Sequence, residues 1–248
     1  MNTFHSIAYA LLGGILPAVI WLAFWLREDS KNPEPKGLIF KTFLGGMCAV
    51  ILVLPFQRIV DNYFPGLGLV EYTLWAILEE GFKFGFAYFV AISCQYDDEP
   101  IDPMIYMITA ALGFVALENT LFIANPLLQQ DILGAVATGS LRFVGASLLH
   151  IVSSSSIGIA YALSFYKSDL NRRISVFFGF VAAVFFHTAF NLFIVNQSSL
   201  GTFQVFGTVW AGVTILLLFF EWVKKIPRPE KPLPNSLYEE ISTPKTSL

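Results

Sequence analysis

Long apolar stretches separated by short polar segments dominate the chain. A helix needs about 20 apolar residues to cross the hydrocarbon of a bilayer, and seven stretches are long enough. They cover roughly residues 5–26, 37–56, 69–93, 104–124, 143–165, 174–195 and 203–223. The pattern predicts an all-α fold, a polytopic membrane helix bundle of about seven transmembrane helices. Residues 126–142 are too short and too polar for another span, and we expect an outer loop there, lying in the interface or dipping back into the membrane.

Basic residues are distributed unevenly among the predicted loops. Cytoplasmic loops are enriched in Lys and Arg. If the N-terminus is outside, the inner loops and tail hold Arg27, Lys31, Lys36, Lys41, Lys167, Arg172, Arg173, Lys224, Lys225, Arg228 and Lys231. The outer set holds only Arg58. This asymmetry predicts an N-terminus outside and a cytoplasmic C-terminus.

The character of the chain changes after Val223. Five prolines stand there among charged and hydroxyl side chains, and such a composition cannot bury a core. We therefore predict a transmembrane domain over residues 1–223 and a flexible Pro-rich cytoplasmic tail over residues 224–248.

Composition agrees with a membrane protein and excludes one other class. The 248 residues are 55% hydrophobic and 13% charged, with a mean hydropathy of +0.64. The net charge is −3 and the basic residues are scattered, so the chain lacks the dense basic face of a nucleic-acid-binding protein. We therefore predict the lipid bilayer, and no nucleic acid, as a partner.

Polar side chains interrupt four of the predicted spans. They are Glu79, Glu80 and Lys83 in the third, Glu118 and Asn119 in the fourth, Arg142 and His150 in the fifth, and His187 and Asn191 in the sixth. A charge at the bilayer centre costs about 2.5–3.5 kcal/mol on the insertion scale, so several charges should face one another or water. From the helical rise, four of these residues lie about 9–15 Å below the outer surface. We therefore predict that Glu79, Glu118, His150 and His187 meet in a shared polar cavity.

Three other interpretations compete with a catalytic one. Glu79 and Lys83, at i and i+4, could form a buried ion pair that only fixes helix packing, and Arg142 could hold Glu118 as a structural strut. A transporter or proton relay also places ionisable side chains in the membrane. A scaffold without activity that binds a partner helix is the third possibility.

Five motifs give the sequence a family resemblance. They are Glu79-Glu80-Gly81-Phe82-Lys83, Gly113-Phe114-Val115-Ala116-Leu117-Glu118-Asn119, His150, His187-Thr188-Ala189-Phe190-Asn191, and the Asp29-Ser30-Lys31-Asn32-Pro33-Glu34-Pro35 loop together with Pro100-Ile101-Asp102-Pro103-Met104-Ile105-Tyr106 at the entry to the fourth span. The sequence resembles the PrsW family of intramembrane proteases, distantly similar to CAAX prenyl endopeptidases and bacteriocin-processing membrane proteases. Pro103 departs from the family's pattern, in which Gly is expected after Asp102.

The resemblance implies an intramembrane protease in a prokaryotic plasma membrane. Its partner would be a membrane-protein substrate with a transmembrane or juxtamembrane segment. In some bacteria such enzymes cleave anti-sigma factors.

Peptide hydrolysis requires a base for water and a donor for the oxyanion. The candidate catalytic residues are Glu79, Glu80, His150 and His187, with Lys83, Glu118, Asn119, Arg142 and Asn191 in supporting roles. We assign water activation to Glu79 with His150, and oxyanion stabilisation to His187 with Asn191. Lys83 would keep Glu79 ionised. Glu80 and Glu118 would orient the histidines or the water, and Arg142 would balance charge.

A metal-assisted form of the same hydrolysis is the alternative. Zinc could be held by Glu80, Glu118, His150 and His187 in an open site. The sequence lacks the HExxH motif, and the metal-free, glutamic-type form is favoured, with no cofactor.

Overall fold

The computed structural model describes residues 2–28, 32–195 and 199–229, and all regular structure in this part of the chain is helical. In chain order the helices are α1 (Thr3–Trp25), α2 (Lys36–Tyr63), α3 (Leu69–Ala87), α4 (Asp102–Leu128), α5 (Ile132–Leu141), α6 (Ser147–Ala162), α7 (Asp169–Val195) and α8 (Ser199–Val223). Two π-helical turns, Tyr88–Ile92 and Arg142–Ala146, extend α3 and join α5 to α6. The predicted all-α fold is confirmed.

Most of the helices have the length and composition of membrane spans. Among the described residues, six helical stretches are long and apolar enough: α1, α2, α4, the continuous stretch of α5 and α6, α7, and residues 206–223 of α8. The predicted third span is also helical, from Leu69 to Ile92, and it differs from these six by its charged residues. The chain is therefore a polytopic helical membrane bundle, for which seven spans and an outside N-terminus stay predictions.

The prediction of an outer loop over residues 126–142 is wrong. Helix α4 continues to Leu128, and α5 begins at Ile132. The Asp131 side chain accepts a 2.8 Å hydrogen bond from the backbone N–H of Gly134, which caps α5. The polar residues that indicated a loop form only a tight turn, in which Gln130 has a φ of 62°.

Helix α4 lies at the centre of the bundle. It packs against α1, α2 and α6, and also contacts α3 and α5. Gly46 of α2 and Gly113 of α4 lie where the two backbones meet. A Cβ on Gly46 would overlap the carbonyl oxygen of Ala110, and a Cβ on Gly113 would overlap that of Phe43. The two glycines therefore allow the close approach that brings α2 beside the functional helices.

Pro103 does not disturb the beginning of α4. It lies in the first turn of the helix, where a backbone N–H has no intrahelical partner to lose. The departure from the family's pattern is therefore compatible with an uninterrupted α4.

The chain leaves α8 after Val223. Residues 224–229 are not helical beyond a turn at Lys224 and Lys225. The rest of the predicted tail, residues 230–248, lies outside the described residues.

Candidate active site

Polar side chains from α3, α4, α6 and α7, and from the π-helical turn that begins at Arg142, come together in the bundle. Glu79, Glu80 and Lys83 come from α3, His150 from α6 and His187 from α7. Each of these five residues is at most 4% exposed. Glu118 of α4 contacts them from the side, so the residues predicted to share one layer are in one cluster.

Glu80 accepts more hydrogen bonds than any other carboxylate of this cluster. Its Oε1 accepts from Lys83 Nζ at 2.9 Å, from Ser153 Oγ at 3.1 Å and from His187 Nδ1 at 2.8 Å. Its Oε2 accepts from Ser154 Oγ at 2.6 Å. Because both oxygens are occupied and the residue is fully buried, Glu80 is placed to hold its neighbours in position.

Glu79 differs from Glu80 in having one oxygen without a donor. Gln57 Nε2 donates a 2.8 Å hydrogen bond to Glu79 Oε1. Glu79 Oε2 is buried and has no hydrogen-bond partner among the described residues. Lys83 Nζ and His187 Nε2 each lie 3.6 Å from it. Glu79 Oε2 can therefore accept a proton or a hydrogen bond from a molecule that enters the cluster.

Both ring nitrogens of His150 face polar partners. Lys83 Nζ lies 2.6 Å from Nδ1, and because an ammonium only donates, Nδ1 is the acceptor. Nε2 then carries the proton and faces Glu118 Oε2 at 3.3 Å. The ring stands edge-on to that of His187, with centroids 4.8 Å apart. Lys83 and Glu118 thus fix the tautomer of His150.

The Glu118 end of the cluster is its more open side. Arg142 pairs with Glu118, and its Nε donates a 2.6 Å hydrogen bond to Asn119 Oδ1. The side chains of Arg142 and Glu118 are 17% and 18% exposed. Asn119 in turn donates to Ser147 Oγ at 3.3 Å, and the guanidinium lies 3.8 Å from the Phe122 ring centroid. Arg142 therefore joins α4 to the start of α6 at the edge of the site.

Asn191 is the predicted site residue that the structure leaves outside this network. It lies one helical turn after His187 and is half-buried. It has no hydrogen-bond partner among the described residues. Its amide is thus unengaged on the helix that carries His187.

Three residues that donate to the glutamates of the network were missed by sequence reasoning. Ser153 and Ser154 were not among the candidate residues, yet both donate to Glu80. Their positions at i+3 and i+4 from His150 place them on the same helix face, which was the available signal. Gln57 follows the predicted second span directly, so its amide was not counted among the intramembrane polar residues.

One group of side chains has the spacing of a metal site. Glu79, His150 and His187 each offer a ligand atom, and these atoms lie within 4.8 Å of one another. Glu and His are zinc ligands, and Glu80 on His187 Nδ1 is the kind of carboxylate that supports a metal-bound histidine. This group contains Glu79 in place of Glu80 and Glu118, which were predicted as metal ligands with the two histidines. Glu80 already accepts from four donors, and Glu118 is paired with Arg142.

Comparisons with known proteins point to one family. A family model described as PrsW family intramembrane metalloprotease matches residues 34–221. Similar proteins include Protease PrsW of Geobacillus kaustophilus, 22% identical over 86% of this chain and 88% of that protein. Protease PrsW of Shouchella clausii is 23% identical over 88% and 97%, and that of Clostridioides difficile is 28% identical over 74% and 78%. No solved structure matches the chain.

Proposed function

This chain belongs to the PrsW family of intramembrane proteases, and we propose that it hydrolyses a peptide bond of a membrane-associated protein with Glu79 as general base. One observation carries the proposal: Glu79 Oε2 is buried beside His187 and has no hydrogen-bond donor among the described residues. A base needs such an oxygen, because an oxygen already occupied by donors has less capacity to take a proton from water.

The substrate we propose is a protein with a transmembrane or juxtamembrane segment. The site lies among helices whose outer surfaces are apolar, so a substrate already in the bilayer reaches it without leaving lipid. By resemblance, anti-sigma factors in a bacterial plasma membrane are candidates.

The hydrolytic step uses Glu79 twice. Its Oε2 takes a proton from water as the water oxygen attacks the carbonyl carbon of the scissile bond. When the C–N bond breaks, the same proton passes to the leaving nitrogen, giving a carboxylic acid and an amine. His150, beside Glu79 and held by Lys83 and Glu118, helps to position the water.

The developing oxyanion needs a hydrogen-bond donor. His187 donates from Nε2 when both of its ring nitrogens carry protons, and Glu80 supports that form by accepting from Nδ1. Asn191, one turn further along α7, adds its unengaged amide. Glu80 therefore acts through His187 as a positioning residue, and Ser153, Ser154 and Lys83 hold Glu80.

A metal-assisted form is the second candidate, favoured by the close grouping of Glu79, His150 and His187. These three residues would hold a divalent ion such as zinc, which when bound would supply Lewis-acid polarisation of the carbonyl. The Lys83 ammonium is a cation among the same donors, 2.6 Å from His150 and 3.6 Å from Glu79. Both forms fit the donor set, and the metal-free form needs no displacement of Lys83.

The proposal is tested by cleavage of candidate single-span proteins by the purified chain in detergent. We expect cleavage by the wild type and a loss of at least about 100-fold in Glu79→Gln, since a positioned base typically contributes about 10²–10⁴-fold. Glu71→Gln, on the first turn of the same helix α3, is the matched control and should retain activity.

A chelator separates the two forms. Unchanged activity after treatment with EDTA supports the metal-free form, and a loss restored by zinc supports the metal form. Full cleavage by Glu79→Gln would remove the proposed base in either case.

A further inference from the structure

A groove lies between α3, α6 and α7, and its lining does not include the residues of the catalytic cluster. Its volume is about 590 Å³, and its walls include Phe84 and Tyr88 beside α7 residues Phe177 and Phe180. The ring of Phe180 reaches toward Gly81 of α3, where an added Cβ would lie 4.0 Å from its Cζ. The groove thus begins at the first turns of α7, on the predicted cytoplasmic side, and continues between the two helices.

The rim of this groove carries two arginines and one aspartate. Arg172 donates to Asp169 Oδ1 at 2.5 Å and to the carbonyl oxygen of Phe165 at 3.5 Å, and it also interacts electrostatically with Asp97. Arg173 lines the same groove, is exposed and has no ion-pair partner among the described residues. Arg173 is therefore the rim cation that can accept an anion without losing an existing partner.

We propose that this groove binds an anionic phospholipid, with the phosphate on Arg173 and Arg172 and one acyl chain between α3 and α7. Basic pockets between transmembrane helices on the cytoplasmic side are suited to anionic headgroups. The apolar walls favour an acyl chain over an extended peptide, because Phe84, Phe177 and Phe180 offer no partner for the backbone N–H and C=O groups of a peptide.

The test is lipid binding to the purified full-length protein, measured by native mass spectrometry. Phosphatidylglycerol and phosphatidylcholine with the same acyl chains are titrated in parallel. One arginine near the surface contributes about 1 kcal/mol, so we expect phosphatidylglycerol to bind at least about fivefold more tightly. Arg173→Gln should abolish most of this preference, and Arg173→Lys should keep most of it. Equal binding of both lipids to the wild type would overturn the proposal.

Two further variants separate the headgroup from the acyl chain. Phe177 is 61% exposed, so Phe177→Ala should fold normally. It should weaken the binding of both lipids by the same factor, because it removes part of the groove wall. Lys225→Gln removes an exposed charge on the same predicted side outside the groove and should change nothing. A preference that survives in Arg173→Gln, or full binding by Phe177→Ala, would place the lipid elsewhere.

A soluble phosphate ester without an acyl chain provides the last comparison. Glycerol phosphate shares the anion but has no chain, and it should compete only at far higher concentration than phosphatidylglycerol. If the two compete equally, the arginines bind an anion alone and the groove has no part in it.

Discussion

Gln57 on α2 donates a 2.8 Å hydrogen bond to Oε1 of Glu79 on α3. This contact occupies one carboxylate oxygen and leaves the other, Oε2, without a donor. It therefore sets the direction in which the proposed base faces.

Removing the Gln57 amide should slow the reaction without preventing folding. In Gln57→Leu, we expect kcat to fall about 10–100-fold with little change in KM, because the carboxylate can rotate away from water. Steady-state cleavage kinetics check this, with Gln57→Glu as a second variant that places a like charge beside Glu79. An unchanged kcat in Gln57→Leu would show that the hydrogen bond does not position the base.

The serines of α6 offer an internally matched pair. Ser154 donates to Glu80, whereas Ser155, equally buried, donates to the carbonyl oxygen of Ile151 in its own helix. Ser154→Ala should lower the free energy of unfolding by about 1.5–3 kcal/mol, since a hydrogen bond to a charged group is lost. Ser155→Ala should cost less than about 1 kcal/mol. Thermal unfolding in detergent compares them, and equal losses would contradict the role given to Glu80.

Arg142 and Glu118 should be energetically coupled. Each single variant, Arg142→Gln or Glu118→Gln, leaves a charge without its partner and should destabilise the protein. The double variant should recover part of this loss, with a coupling energy of about 0.5–3 kcal/mol. A double-mutant cycle on thermal unfolding measures it. A coupling near zero would mean that solvent screens the pair.

A side chain at Gly113 should weaken the contact between α2 and α4. In Gly113→Ala the new Cβ would overlap the Phe43 carbonyl oxygen, so α2 and α4 must separate. We expect a loss of about 1–3 kcal/mol, as for other overpacked positions. Gly37→Ala on α2 meets nothing within 4 Å and serves as the control. If both variants unfold at the wild-type temperature, the close α2–α4 contact is not required.

The stability of the chain should depend on pH through Asp97. Burial and the neighbouring Glu34 carboxylate raise the pKa of Asp97 to about 7, while Arg172 opposes the shift and Asp98 adds to it. Between about pH 4 and pH 7 the unfolded chain releases this proton and the folded chain keeps it, so stability should fall as pH rises through this window.

Replacement of Asp97 isolates this contribution. Asp97→Asn should be more stable than the wild type at pH 8 and equal to it near pH 4, as followed by tryptophan fluorescence during heating. Asp98→Asn, at the exposed neighbour, should reduce the slope only slightly, because Asp98 is the smallest of the four causes of the Asp97 shift. A wild-type unfolding temperature independent of pH over this range would refute the prediction.

The helices and the convergence of charges were predictable because both follow from the bilayer. An apolar stretch such as that of α4 has to be helical in lipid, and Glu79 or His187 has to find polar partners there. The turn at Gln130 was missed since a few polar residues can indicate either a loop or a cap. Which carboxylate oxygens of Glu79 and Glu80 have donors was not predictable either, because this depends on hydroxyls of another helix and on Gln57.

The burial of the cluster has a consequence for timing. Glu79, Glu80 and His187 are each at most 4% exposed, and a polypeptide is far wider than a water molecule. A scissile bond can reach Glu79 only after neighbouring helices move apart. Turnover can therefore be no faster than that opening. The substrates cleaved fastest would be those that most readily induce the opening or bind the open form.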